Sequence, residues 1–302
     1  MDKDTYNIGK ILKKLKLEDR DDDKPHLESN IRNFFNNANI DADTKNIVKN
    51  LMYQFTYFSK REIKEQFIPY IGITVSNIST DVKIIFSNIT DKQAKYNSSS
   101  HILSLFLDEF NLPNQNVLNL HHILFTTEYE ENPLLEKYKK ILEGKNSIVF
   151  IDDFVGSGNT LKNFIEELKR NFNLHGKNLI FIILTLRKEI EEEIKKTYID
   201  EEFHIEFYVY NYTCNLIENL YLDSNFYNQV KRLERDKIKV SKNYILGYDR
   251  SMLLVGSYRN TPNNTLASLW WENRGYKGPF ERKREINPIQ DIRKKMSYGR
   301  KK

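Results

Sequence analysis

One cysteine, Cys214, stands in 302 residues. A lone thiol excludes an internal disulfide and any cysteine-built metal site, and a buried structural thiol is its plainest reading. No apolar run approaches the ~20 residues that a bilayer-crossing helix needs. The first sixteen residues are charged and lack the apolar stretch of a secretory signal. His121, His122 and His204 show no metal-ligand spacing. These absences lead to the expectation of a cytoplasmic protein without a membrane partner.

Aromatic residues are abundant. Eighteen Phe and eighteen Tyr supply large buried area to a chain whose apolar fraction is only 39%. The formal net charge is +5, but its distribution is uneven: residues 281–302 hold nine Lys/Arg against three Asp/Glu. The rest of the chain is therefore close to neutral. The basic tail either keeps the protein soluble or contacts nucleic acid or an acidic partner.

The apolar pattern divides the chain into a polar leader (1–26), a helical lead-in (27–64), a main domain (65–282) and the basic tail (283–302). The leader reads as a weak helix and a linker whose acidic run, Asp19 and Asp21–Asp23, is a solvated loop. In the lead-in, Ile31, Phe34 and Phe35 share one helix face. Ile47, Val48, Leu51, Phe55 and Phe58 mark a second helix that Asp43 or Thr44 can cap. Phe67–Val75, Val82–Phe86, Ser147–Ile151, Leu179–Leu186, Ile205–Val209 and Ser251–Tyr258 read as strands, with another inside Val117–Phe125. Ile102–Phe110, Leu134–Leu142, Thr160–Phe172 and Lys188–Lys196 read as helices. Continuous apolar strands alternating with helices predict an α/β fold with a mostly parallel sheet covered on both faces.

The segment Ile148-Val149-Phe150-Ile151-Asp152-Asp153-Phe154-Val155-Gly156-Ser157-Gly158-Asn159-Thr160 carries the chemistry. A buried strand brings two carboxylates to its C-terminal end, where ligands of open α/β sheets bind. Gly156 and Gly158 let backbone amides approach a phosphate, Ser157 and Thr160 add hydroxyls, and a helix N-terminus follows. Asp152 and Asp153 then lie near the sugar bearing that phosphate; carboxylates accept from vicinal hydroxyls and can help hold Mg²⁺. The plain alternative is a strand–turn–helix with a capping Asp. A P-loop needs a lysine after its second glycine, and Asn159 stands there.

At these residues the sequence resembles the type I phosphoribosyltransferases. The resemblance matches Asp152 and Asp153 to the ribose-contacting acids, and Gly156, Ser157, Gly158, Asn159 and Thr160 to the 5′-phosphate loop. A second stretch, Asn260-Thr261-Pro262-Asn263-Asn264-Thr265-Leu266 with Trp270 and then Gly278-Pro279-Phe280-Glu281-Arg282, resembles the PRTase-CE branch of that superfamily. Here Pro279 and Phe280 adjoin where the branch carries an intervening Leu.

The resemblance implies a ligand that is phosphoribosyl pyrophosphate or a nucleotide, with Mg²⁺ as cofactor. It also implies a setting in bacterial conflict and phage-defence loci, including retrons. There the basic tail would meet a nucleic acid or a defence-complex protein such as a reverse transcriptase with its nucleic acid. Asn263, Asn264 and Trp270 are candidates for base or ribose contact, Trp270 and Trp271 being equally able to fill core. Thr265 can cap a following helix. Ser76 and Asn77, after the Phe67–Val75 segment, are the candidate pyrophosphate loop; they lack a basic neighbour. Arg187 and Arg259 are candidates for a basic residue over the reaction centre. Three functions remain open: an effector acting at the anomeric carbon, a non-catalytic nucleotide-sensing module, and a nucleotide-salvage enzyme.

Overall fold

The computed structural model describes residues 8–17, 21–78, 83–90, 98–113, 116–120, 124, 133–213, 224–273 and 275–282. Ser79, His121, His122, Phe125, Cys214 and the basic tail, 283–302, lie outside the described residues.

Four parallel strands build the main sheet in the order β2 (Ile84–Asn88), β3 (Ser147–Val155), β4 (Asn178–Arg187), β5 (His204–Thr213). Their sequences are almost unbroken apolar runs because both faces are covered. Ile148, Phe150, Leu179, Phe181 and Ile183 point into one core. It is shared with α7 (Pro133–Glu143), α8 (Asn159–Asn171) and α9 (Lys188–Thr197). The alternate residues Val149, Ile151, Ile180, Ile182 and Leu184 point into a second core, shared with α5 (Ile68–Ser76) and α6 (Ser98–Glu109). This is the period-two alternation of a strand with two buried faces. Phe150, Phe181 and Phe207 are register neighbours across β3, β4 and β5, and their rings stack at 5.0 and 5.2 Å.

A third core joins the helices of residues 8–52 to residues 226–280. Helices α1 (Ile8–Lys14), α2 (Lys24–Asn36) and α3 (Ala42–Met52) pack with Leu266, Leu269, Trp270 and Phe280. Asp41 caps α3 by accepting the Thr44 amide at 2.9 Å. After α3, β1 (Thr56–Phe58) pairs in parallel with β6 (Val255–Ser257). Helix α4 (Lys60–Glu62) then widens into a π-turn at Ile63–Phe67 before α5. Near the C-terminus, α10 (Ser224–Arg232) runs into a second π-turn, Leu233–Lys237, and a small hairpin pairs β7 (Glu272–Asn273) with β8 (Tyr276–Lys277).

Several sequence expectations give way to tertiary packing. Phe67–Val75 is helical, not a strand: Phe67, Ile68, Ile71 and Thr74 are buried at helical spacing while Ile73 faces solvent, and Pro69 comes just after the π-turn. Phe55 and Phe58 do not continue α3, which ends at Met52; Phe58 belongs to β1. The Ser251–Tyr258 strand shrinks to Val255–Ser257 plus a bridge at Leu253, because Asp249, Arg250 and Met252 adopt left-handed backbone. Within Val117–Phe125, Val117 makes a single parallel bridge to Phe86. In the acidic run, Asp21 is buried, not solvated; it accepts from Ser59 at 3.1 Å and pairs with Arg61 at 2.8 Å, fixing the leader to α4.

Glu234 was not anticipated. It is fully buried in the second π-turn and accepts the amides of Leu246 (2.6 Å) and Ser268 (2.8 Å). Burial outweighs these bonds and pushes its carboxyl up to about 7. The folded protein therefore holds this proton more tightly than the unfolded chain does, at 4.5. The associated stability is fully present below pH 4.5 and is lost as pH rises through 7. Chemical denaturation at pH 5.5 and pH 8 should show the lower stability at pH 8, by an amount on the order of a few kcal/mol. Glu234→Gln should lower stability overall and flatten this part of the profile.

Candidate active site

Strand β3 delivers the two acids as a continuation of its apolar run. Asp152 still pairs in register with Ile183 of β4. Its Oδ1 accepts the amide of Asp153 at 2.9 Å. Asp153 Oδ1 accepts the Ser98 hydroxyl, from the first turn of α6, at 2.7 Å. Burial, and then the neighbouring charge of Asp153, hold the Asp152 carboxyl well above the usual carboxylate range. Burial raises Asp153 too, against the opposing hydrogen bonds from Ser98 and Asp152 and the charge of Arg259.

After Val155 the chain turns through Gly156, Ser157 and Gly158 into α8. Gly158 is the residue before the helix and has φ +78°, a left-handed conformation that glycine adopts without strain. A Cβ there would lie 2.6 Å from Ile190 Cγ2, so the turn also sits tightly on α9. A Cβ on Gly156 would lie 2.5 Å from Asn264 Cγ.

That second contact brings the C-terminal motif to the turn. Asn264 is buried, and its side-chain amide donates to the Tyr248 carbonyl at 3.3 Å. Its backbone carbonyl accepts the Ser251 hydroxyl at 2.8 Å. Thr265 donates its hydroxyl to Val255 O at 2.6 Å, so it ties the motif to β6 and does not cap a helix. Arg282 donates to Thr261 O at 2.7 Å and lies 5.3 Å from the Trp270 ring centre.

Together these elements enclose a cavity of about 270 Å³. Asp152, Asp153, Gly156, Ser157, Gly158 and Thr160 line it, and Asn263 and Asn264 face them. Asn159, which opens α8, is exposed and is not among the lining residues.

Trp270 is not a lining residue either. It is buried in the third core and donates its indole N–H to Thr265 O at 2.9 Å, so it supports the motif from behind. Ser76 and Asn77 end α5, where the Ser76 hydroxyl bonds the Ile73 carbonyl, and they too are absent from the wall. The first strand of the main sheet in chain order is β2, and Ile89 and Ser98 beyond it line the cavity. Thr185 at the end of β4 and Phe58 of β1 line it as well and were not anticipated. Ser98 could have been found as the residue opening the helix after a strand neighbouring β3. Arg187 is engaged with Glu189 at 3.3 Å.

The arrangement can hold a phosphorylated sugar: amides and hydroxyls for the phosphate at a helix N-terminus, acids for the ring hydroxyls. Among the described residues no three His, Cys, Asp or Glu side chains cluster as a metal cage. Two carboxylates fit the habit of Mg²⁺, which takes one or two protein oxygens and completes its shell with water and ligand phosphates.

The sequence profile of the PRTase-CE family matches residues 22–282, which spans the lead-in, the turn and the C-terminal motif. The chain belongs to the PRTase-CE family. PRTase-CE is a phosphoribosyltransferase-like family, and the parallel sheet with surrounding helices agrees with that fold. No curated protein and no solved structure matches the chain. Among the described residues, no helix of this PRTase-CE chain is long and apolar enough to cross a membrane.

Gly158→Ala tests the turn. The left-handed position costs about 1–2 kcal/mol for an L-residue, and the methyl group must displace Ile190. The expected result is a lower thermal midpoint together with loss of ribose 5-phosphate binding by calorimetry; unchanged binding would disconnect this turn from phosphate.

Proposed function

We propose that the chain binds a ribose 5-phosphate ligand, either phosphoribosyl pyrophosphate or a nucleotide, and acts at its anomeric carbon. The observation that carries this reading is the juxtaposition of Asp152 and Asp153 with the Gly156–Thr160 turn in one cavity. The turn anchors the 5′-phosphate through backbone N–H groups and the Ser157 and Thr160 hydroxyls. That anchor supplies binding energy remote from the reacting carbon, where it can be used to orient the ring. Asp153, held by Ser98, and Asp152 accept from the ribose hydroxyls, and negative charge beside the ring stabilises an oxocarbenium-like transition state. No protein nucleophile is required. Mg²⁺, held by Asp152 and Asp153 with ligand oxygens, would neutralise phosphate charge.

Family membership supports the transferase-like reading. The cellular setting we propose is antiphage defence, on the resemblance of the 260–282 motif to its branch. In that setting the basic tail contacts nucleic acid or a defence-complex protein.

The test is turnover of purified protein with Mg²⁺ and phosphoribosyl pyrophosphate or nucleotides, read by product mass. Asp152→Asn with Asp153→Asn should reduce product formation by at least two orders of magnitude, about 3 kcal/mol of barrier, while circular dichroism stays native. Undiminished turnover in the folded double variant would remove both acids from the chemistry.

A further inference from the structure

The cavity wall at Asn263 and Asn264 is held by a strained loop, and a buried carboxylate outside the cavity holds that loop. Residues 246–253 lie flush against the wall. Tyr248 donates its amide to Asn263 O at 2.7 Å, and Leu253 donates its own to Asn264 O at 3.2 Å. Gly247 passes so close to Asn264 O that a Cβ has no room there. Leu246, Asp249, Arg250 and Met252 of this loop take positive φ, between 49° and 67°. Such backbone is costly for residues other than glycine and persists only where its surroundings over-determine it.

Glu234 supplies that fixing at two points. Its Oε2 accepts the Leu246 amide at 2.6 Å, at the entrance of the strained loop. Its Oε1 accepts the Ser268 amide at 2.8 Å, in the short 3-10 turn Ala267–Leu269 that follows the wall. The side chain comes from the π-turn Leu233–Lys237, a widened turn of the kind found at functional positions, yet it is not a lining residue of the cavity. An ionised carboxylate accepts at both oxygens. A neutral one carries a proton on one oxygen, which then meets an amide N–H with an O–H of its own. Protonation therefore releases one of the two anchors. Burial places the carboxyl at about 7, so both forms are populated near neutral pH. The titratable side chain that faces Glu234 is Tyr276 of β8, whose hydroxyl donates to Ser268 O and whose phenol burial and Glu234 push up. Arg232, Arg235, Asp236 and Lys237, beside Glu234 in the chain, are exposed; Arg235 pairs with Asp236 and Lys237 with Asp41. Lys239, Lys242, Asp249 and Arg250 on the loop that follows are exposed too. Asp43, Lys45 and Lys49 of α3 lie off the buried face of that helix.

We infer that Glu234 is a positioning residue for ligand binding: with both oxygens accepting, its carboxylate holds the Asn263–Asn264 wall against the Gly156–Thr160 turn, and a proton on it slackens the wall. The inference rests on the ligand reading proposed above. Binding is coupled to loss of this proton, so affinity rises as pH rises through about 7 and levels off above it. By reciprocity the bound ligand lowers the pH at which Glu234 ionises. The sign is opposite to that of folding stability: the proton that relieves the buried charge favours the fold and loosens the site.

Binding of ribose 5-phosphate to the full-length protein with Mg²⁺ is measured by calorimetry at pH 6 and pH 8, for the unaltered chain and for Glu234→Gln. The glutamine side chain presents one accepting oxygen and one donating nitrogen, so it reproduces the protonated state at every pH. The ligand phosphate, Asp152 and Asp153 titrate in both proteins and cancel in the comparison. With Glu234 ionising at about 7, roughly one molecule in ten is ionised at pH 6, so the unaltered protein should lose about tenfold more affinity between pH 8 and pH 6 than the variant does. Equal pH ratios in the two proteins overturn the inference and leave the ligand reading standing; no binding by the unaltered protein at either pH overturns both. Tryptophan fluorescence decides the matter should Glu234→Gln not fold, because Trp270 and Trp271 both donate their amides to Ala267 O in the turn that Glu234 holds. A step centred near pH 7 in the unaltered protein, moved to lower pH by ribose 5-phosphate, supports the inference. A flat signal from pH 6 to pH 8, or a step that Tyr276→Phe abolishes, overturns it.

Discussion

Two carboxylates side by side at the end of a buried strand set the terms for everything around them. Burial holds both Asp152 and Asp153 above their ordinary ionisation range, and at Asp152 the neighbouring charge of Asp153 adds to it. Such a pair is costly to fold and persists where the neighbourhood supplies compensating donors. Here the compensation is local: the Asp153 amide on Asp152, and the Ser98 hydroxyl on Asp153. Ser98 is in place because α6 packs beneath the sheet through Ile102, Leu103 and Phe106. The cavity is thus a product of the same packing that builds the core.

The Gly156–Thr160 turn has a corresponding dependence on a distant part of the chain. Gly156 leaves just enough room for Asn264, and Asn264 is fixed by Tyr248 and Ser251. Behind that motif stand Trp270 and Phe280, in a core formed with α1, α2 and α3. The helices at the start of the chain therefore buttress one wall of the cavity, although none of their residues lines it. Glu234 adds a further tie, bonding the loop that carries Tyr248 and the turn that follows Leu266.

What could be read in advance was whatever short-range pattern decides. The strand from Ser147, its twin acids and the glycine turn form one contiguous signal, and β3, β4 and the helices after them lie close to where apolar periodicity puts them. The misreadings fall where long-range contacts decide. Phe67–Val75 is rich in β-branched residues, yet only its helical spacing buries Ile68 and Ile71 together. Asp21 looks like part of a solvated run until Arg61, forty positions on, closes over it. Trp270 resembles a base-stacking group in sequence, and only the third core shows that its ring faces inward.

The same distinction explains why the two asparagines of the motif divide their work. Adjacent residues on an irregular loop point in different directions, so one amide can be spent on structure while its neighbour lines the cavity. Asn264 accounts for the shape of the turn: its side chain fills the space that any Cβ at position 156 would need. Asn263 shares its backbone hydrogen-bonding environment through Tyr248 but contributes nothing to that packing. A side chain that the fold does not use, on a backbone that the fold holds still, is the arrangement recognition requires, since little conformational freedom is left to lose on binding. Sequence alone sees Asn-Asn as a pair of equivalents; the register of one loop against one glycine makes them different.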